Sequence, residues 1–372
     1  MKQMNGQWIG RYTGDSEGMI IVNVDDRGTF YQGVAYLHDG SPGLPGIAAS
    51  FRTANKTTPF QVRTDAIVAI NPNTGLADLW DNVKERYPGA HLSTSADVTG
   101  SWDDASLTLT WKTDLGVNGT CVLPRSKASD SSTLIAKEMR WDEYKVYVAG
   151  LEGRRHLFRG QNKPWRLRTA FHRRGRADLV RFLNEDIAAL HKRLSASTRH
   201  VFNLMLPDEN GAFLNLAQHH GYPTPLLCWT YSPYVAAFFA YRGIQNEDAA
   251  AAAPDDKVRI VVFDQAEWRA RFAQPLNLLS TWQYVSIGEF LAIENERMTP
   301  QQAASTLTNV DDIETYVGQT PEGKPYLWAI DLPRRDRPHA NRELGYMGIT
   351  AGSLFPGLDG ACEELKERNF PG

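Results

Sequence analysis

Three clusters hold the residues best placed to do chemistry. The first is Phe158-Arg159-Gly160-Gln161, inside a run of bases made by Arg154, Arg155, Arg159, Lys163, Arg166, Arg168, Arg173, Arg174 and Arg176. No acid occurs between Arg154 and Arg176, so the local field favours an anion, most simply a phosphate. Arg159 stands between an apolar residue and a glycine. If buried there it needs a partner, because an uncompensated buried charge is costly; that partner is a protein carboxylate or a ligand phosphate. The plainer reading of the same run is a solvated basic face or a set of structural ion pairs.

The second cluster runs from Leu216 to Pro233: Leu-Ala-Gln-His-His-Gly-Tyr-Pro-Thr-Pro-Leu-Leu-Cys-Trp-Thr-Tyr-Ser-Pro. Its pattern is helix, turn, short strand, polar turn, helix. Gly221 fits a helix C-cap and Pro223 ends that helix. Leu226-Leu227 reads as a short buried strand. Thr230 or Ser232 then caps an apolar helix beginning near Pro233, which puts hydroxyls and free backbone N–H groups at a helix N-terminus, a ready anion site. The plainer reading makes both residues caps and nothing more. His219 and His220 fall on different faces of a continuing helix, so they do not chelate one ion together. Cys228 with either histidine would be a nucleophile–base pair, but the apolar flank of Leu226, Leu227 and Trp229 reads instead as a buried, inert thiol.

The third cluster is Asn341-Arg342-Glu343-Leu344-Gly345-Tyr346-Met347-Gly348-Ile349-Thr350, continuing to Gly360. Its glycines point to tight turns or close backbone approach. Glu343 is the candidate functional carboxylate, with Glu289 in Ser286-Ile287-Gly288-Glu289-Phe290 as competitor; a glutamate on a helix surface is the commoner case.

The elements that must carry these clusters divide the chain into two textures. Residues 1–125 read as an all-β region, a small barrel or sandwich: Gln7–Tyr12, Gly18–Val24, a turn at Asp25-Asp26-Arg27-Gly28, then Thr29–Tyr31, Val34–Leu37, Phe60–Thr64 and Ala105–Lys112. Asn118-Gly119 is a turn candidate before Thr120–Leu123. This region shows no catalytic constellation and reads as a recognition or structural module. A Ser-rich stretch makes residues 126–138 a linker. Residues 139–372 read as mixed α/β. A helix is expected over 139–149, an amphipathic helix over Arg176–Leu194, helices over Phe213–His219 and Pro233–Tyr241, and a closing helix over Gly360–Arg368. Strands are expected at Val258–Phe263 and Pro325–Ile330, with a flexible Ala-rich loop over Asn246–Asp256. The fold class is α+β.

Composition bounds the function classes. The chain has 372 residues, 42% hydrophobic and 22% charged, which suits a folded protein of two domains. Lys and Arg total 40 against 43 Asp and Glu, a formal net charge of −3, which argues against a general nucleic-acid coat or a polybasic membrane binder. The amino terminus has no apolar core of a signal peptide, and no stretch approaches the roughly 18 apolar residues of a membrane span. Three widely spaced cysteines, Cys121, Cys228 and Cys362, fit reduced thiols in the cytoplasm and exclude a four-cysteine zinc site. No metal site is expected.

Taken together the clusters resemble the FRG domain family, named for the motif that is Phe158-Arg159-Gly160 here. The resemblance continues through Gln161, Ala217-Gln218-His219-His220-Gly221, Pro223-Thr224, Leu226-Leu227, Trp229-Thr230, Ser232-Pro233 and Ala236-Ala237, with Gly348-Ile349 and Leu354-Phe355-Pro356, across about residues 140–370. It departs at Cys228, where the family pattern has Asp, and at Pro225, where the family often has a polar residue. The order of motifs is further similar to mono-ADP-ribosyltransferases of the Arg–Ser–Glu class. Arg159 matches the first element, Thr230 and Ser232 leading into Val235–Phe239 the second, and Glu343 the third. That likeness implies NAD as substrate. Arg159 would pair with its phosphates, Thr230 and Ser232 would brace the nicotinamide ribose, and Glu343 would stabilise an oxocarbenium-like centre. The ligand-binding set so implied is Gly160, Gln161, Arg168, Gln218, His219, His220, Thr224 and Trp229.

The leading functional expectation is therefore an ADP-ribosyltransferase-like or NAD-consuming effector of the bacterial cytoplasm, a toxin or phage-defence component with a protein or nucleic-acid acceptor. The alternatives are a non-catalytic module binding a nucleotide, a phosphorylated ligand or a protein partner, which the loss of the family Asp at Cys228 favours, and a nucleic-acid-acting enzyme, which the basic run favours.

Overall fold

The computed structural model describes residues 3–319 and 325–370; Met1, Lys2, residues 320–324, Pro371 and Gly372 lie outside the described residues. No helix among those described is long and apolar enough to cross a membrane.

The first region folds as β1 (Gly6–Gly14), β2 (Gly18–Asp26), β3 (Tyr31–Asp39), β4 (Ile47–Arg52), β5 (Phe60–Thr64), β6 (Ala66–Ile70), β7 (Ala77–Asp78), β8 (Ala96–Trp102), β9 (Ser106–Thr113) and β10 (Asn118–Pro124). They pair antiparallel in one sheet of order β5-β8-β9-β10-β1-β2-β3-β4-β6-β7. Alternation sends Trp8, Ile20, Val22, Val24, Leu107, Leu109 and Leu123 to one face, while Ile21, Val34 and Tyr36 form a second, smaller cluster. The sheet curls until Thr64 Oγ1 on β5 donates to Ser50 O on β4 at 2.5 Å. No ladder closes that gap among the described residues, so the expected small barrel or sandwich is a single open, curled sheet. The expected turn at Asn118-Gly119 is strand instead. Gly119 pairs with Trp111, and a Cβ on it would meet the Trp111 ring at 2.2 Å. The reversal lies just before it, where Gly116 takes a φ of +83°.

The second sheet is built from β11 (Ala136–Glu138), β12 (His156–Gln161), β13 (Leu226–Thr230), β14 (Lys257–Asp264), β15 (Val285–Gly288), β16 (Ala303–Thr308) and β17 (Leu327–Pro333), in the order β11-β17-β14-β12-β13-β16-β15. Only β11 runs parallel to its neighbour, so the sheet is mixed and the architecture α+β. β14 is apolar along its length because both faces are covered: Val258, Ile260 and Val262 face one cluster, Val261 and Phe263 the other. The first cluster includes the helices Trp141–Ala149, Pro233–Tyr241 and Arg337–Tyr346.

Other elements differ from expectation at their ends. The amphipathic segment begins at Leu179, because Asp178 accepts from Arg181 N as its N-cap, and it carries a π turn over Phe182–Ile187. The helix ending at His219 begins at Pro207. The Ala-rich segment is not wholly loop: Asn246–Ala250 is a short helix with Ala249 buried.

The two sheets meet through polar groups. Gln7 donates to Asn309 O at 2.7 Å and accepts from Asp311 N at 2.9 Å. Buried Asp25 accepts from Arg176 at 2.5 Å, from Arg181 at 2.9 Å, and from the backbone N–H groups of Ala177 and Asp178. His38 reaches Thr281 O at 3.0 Å and stacks on Trp282.

Candidate functional site

The basic run does not form one field. Carboxylates from elsewhere in the chain take most of it: Arg154 meets Glu289 at 3.4 Å, Arg155 meets Asp264 at 2.9 Å, Arg166 meets Asp312 at 2.8 Å, Arg168 meets Asp311, and Arg176 meets Asp25. Arg159, Lys163, Arg173 and Arg174 have no such pair among the described residues, and of the four Arg159 alone is not exposed. It lies mid-strand on β12, paired across to Val261 on β14. On its other side β12 pairs with β13 only at Phe158 and Thr230, and the Cys228 carbonyl beyond that pair accepts Arg159 Nη1 at 2.7 Å. Among the described residues Arg159 has no carboxylate partner and its buried Nε–H has no hydrogen-bond partner. Burial pushes the guanidinium down to about 10, an environment poor in compensating negative charge.

Arg159 opens into a cleft of about 480 Å³ whose lining includes Gln218, His219, Cys228, Thr230, Arg242, Arg297, Ser305, Asp359 and Glu363. Arg242 is held at the rim by Glu363 at 2.7 Å. Arg297 donates to His219 O at 2.6 Å and lies over the Phe355 ring. Helix Pro207–His219 delivers Gln218 and His219 from one side, and β13 delivers Cys228 from below.

The Phe-Arg-Gly run is explained by position. Phe158 is core, Arg159 faces the cleft, and Gly160 lets helix Pro233–Tyr241 lie on the strand: a Cβ there would sit 1.9 Å from Ala236 O and 2.5 Å from Ala240 N. Gln161 turns away and donates to Trp165 O at 3.0 Å.

The second cluster divides between cleft and scaffold. The Gln218 amide is fixed at both ends, its oxygen taken by the Thr224 hydroxyl and its Nε2 against Cys228 Sγ at 2.5 Å. His219 Nδ1 meets Asn295 Oδ1 at 2.8 Å, and its ring lies close enough to the Cys228 thiol for each to shift the other. Burial alone would lower His219, but the thiol and Asn295 outweigh it and hold the imidazole above its ordinary value. Burial alone would raise Cys228, but His219, then Arg159 and Gln218, hold the thiol below its ordinary value. His220 is exposed at the helix end, and Trp229 donates to Thr306 Oγ1 at 3.2 Å. Thr230 donates to Gln301 O at 2.6 Å and takes Ser232 N at 3.0 Å. Ser232 is the N-cap of its helix, accepting from Val235 N at 3.2 Å, and is not part of the cleft lining.

Glu343 is also outside that lining. Lys145 at 2.5 Å, then Trp141 and His339, bind its carboxyl and hold it at about 2, below the carboxylate range. Asp142, His339 and Glu343 come close enough to ligate one ion, but the Lys145 ammonium already bridges Asp142 at 2.9 Å and Glu343. Glu289 accepts from Tyr231 at 2.6 Å, again away from the cleft. The carboxylates that do line it, Asp359 and Glu363, and the residues Asn295 and Arg297 carry no signal in the sequence. They sit in a loop and on the exposed side of a terminal helix, where no periodicity marks them.

No curated protein matches this chain. A family model does match part of it, from Arg154 through Arg159 and the Gln218-to-Ser232 cluster to Ala249, and residues 154–249 are thereby an FRG domain.

Proposed function

We propose that the cleft binds the phosphate-bearing part of a nucleotide-type ligand, with NAD the first ligand to consider, and that Arg159 is its principal anchor. The observation that carries this reading is an Arg159 side chain at the wall of a cleft that has no carboxylate partner among the described residues and whose Nε–H is buried and unpartnered. A phosphate oxygen supplies what the protein withholds: a counter-charge and an acceptor in one group. Arg297, also without a carboxylate partner among the described residues, adds a second donor for an extended anion such as a diphosphate.

The reading stops at binding. ADP-ribosyl transfer through the order Arg159, Thr230, Ser232 and Glu343 needs a carboxylate beside the sugar, and Glu343 is committed to Lys145, Trp141 and His339 outside the cleft. Calorimetric titration with NAD, ADP-ribose and AMP tests the proposal. Binding is expected for at least one of them, weakened about tenfold or more by Arg159→Met, the size expected for a charge-assisted hydrogen bond. Arg63→Ala, at an exposed arginine of the first sheet, should leave it unchanged. Absence of binding by all three, or equal binding by Arg159→Met, would overturn it. Nicotinamide release measured alongside reports any NAD consumption.

A further inference from the structure

Cys228 is placed unlike the other cysteines. Cys121 is buried in the first sheet, where burial pushes its thiol up to about 12, and Cys362 is exposed on the terminal helix. Cys228 lines the cleft, on the face of β13 opposite the core residues Leu227 and Trp229. Neighbouring groups are arranged on its sulfur. His219 lines the same cleft and acts electrostatically on the thiol, while Asn295 Oδ1 accepts from its Nδ1 at 2.8 Å. With Nδ1–H donated to Asn295, Nε2 is the basic nitrogen of the neutral ring. Asn295 is itself buried, which locks the ring. The Gln218 amide, turned by Thr224, presents Nε2–H to the sulfur.

We propose that Cys228, His219 and Asn295 form a nucleophile, a proton-transfer base and a positioning residue for acyl transfer from a carboxylic ester or thioester bearing an anionic group. The inference rests on the binding proposal only for that anionic group, which Arg159 receives; the chemistry is additional. A nucleophile, a base in reach of it and a third group orienting the base are the geometric signature of covalent catalysis. The depressed thiol and the raised imidazole agree with a thiolate–imidazolium pair.

The step balances without any further reagent. The Cys228 thiolate attacks the acyl carbon, forming the S–C bond. The electron pair pushed onto the carbonyl oxygen is met by Gln218 Nε2–H. Collapse breaks the bond to the leaving alkoxide or thiolate, which takes the proton held by His219. Neutral His219 then draws a proton from water, the resulting hydroxide attacks the thioester, and the C–S bond breaks to give the carboxylic acid and the original ion pair.

Iodoacetamide labelling followed by peptide mass spectrometry tests the nucleophile, with Cys362 as the exposed reference in the same chain. Near pH 6, Cys228 should react about tenfold faster than Cys362, because an ordinary thiol is almost wholly protonated there. His219→Ala should remove the advantage, and Asn295→Ala should move the midpoint of the pH–rate profile upward. Equal reactivity of Cys228 and Cys362, or an advantage that survives His219→Ala, would overturn the pair. Mono-4-nitrophenyl succinate, an anionic aryl ester, tests the transfer. A burst of nitrophenolate and a succinyl adduct on Cys228 are expected, lost in Cys228→Ala and weaker with neutral 4-nitrophenyl acetate. No adduct, or a burst surviving in Cys228→Ala, would sink acyl transfer. ADP-ribose titration of Cys228→Ala separates the claims: binding retained without acylation defeats this inference alone, whereas acylation with Arg159→Met binding unchanged defeats the binding proposal alone.

Discussion

Asp178 shows how burial tunes one carboxyl group. It is almost wholly inaccessible, and burial, then the neighbouring Asp25 charge, raise it from 3.8 to about 6 against the opposing backbone N–H bonds. A carboxyl group whose folded pKa lies above its unfolded value binds a proton on folding. Its contribution therefore favours the folded state at pH values below 3.8 and turns against it as pH rises through about 6. Asp178→Asn keeps an N-cap acceptor for Arg181 N without the charge. The variant should be more stable than the parent by about 2 kcal/mol near pH 8, with the gap closing toward pH 4. Urea denaturation at both pH values checks it, and equal stability near pH 8 would refute it. At this scale the sequence was informative where a motif named a position and silent where partners came from afar. Arg159 and the Gln218-His219 pair were legible and lie in the cleft. Cys228 read as an inert thiol because its flanks are apolar; strand alternation sends Leu227 and Trp229 to one face and Cys228 to the other, toward the cleft. Asn295, which orients His219, lies 76 residues away from it in the chain.

Elements were legible wherever one face repeats. β5 and helix Pro233–Tyr241 have the expected ends, because alternation and a Pro at the first helical position mark them directly. β4, β6 and β8 went unrecognised: β4 and β6 do not separate cleanly into an apolar and a polar face, and the alternation of β8 is carried inward by Ala96, Val98 and Gly100, too small to mark a strand before Trp102. The contact between helix Pro233–Tyr241 and β12 is the one that most directly shapes the site, since it fixes the strand bearing Arg159. Gly160 permits it. In Gly160→Ala the new methyl would overlap Ala236 O and Ala240 N, backbone atoms that cannot rotate aside. The helix must lift from the strand, so a loss of about 2–3 kcal/mol in urea denaturation is expected, together with weaker ligand binding. Undiminished stability would mean that the helix is not held there as described.

At the scale of the whole molecule, the near-neutral composition hides a division of labour between the sheets. Each apolar cluster belongs to one side of the junction: those containing Trp8 and Ile21 draw on the first sheet, and the other three on the second region. What joins the sheets includes buried polar groups as well as the His38–Trp282 stack. The basic run that looked like an anion field spends Arg176 on this junction, where it and Arg181 surround Asp25. Asp25 is fully buried and also accepts from the N–H groups of Ala177 and Asp178, so its removal leaves cations and backbone donors without their acceptor together. Losing one partner of a buried ion pair costs about 3–5 kcal/mol, well beyond the value of an exposed pair. Because that loss falls on the junction and not on either apolar core, it should weaken the coupling between the sheets more than either sheet itself. The parent chain is expected to unfold in one calorimetric transition, and Asp25→Ala in two, the first at a lower temperature. Arg63→Ala, which breaks exposed pairs to Asp65 and Asp97 within the first region, should leave a single transition within about 1 kcal/mol of the parent. A single, unshifted transition for Asp25→Ala would show that the sheets are coupled by something other than this buried carboxylate.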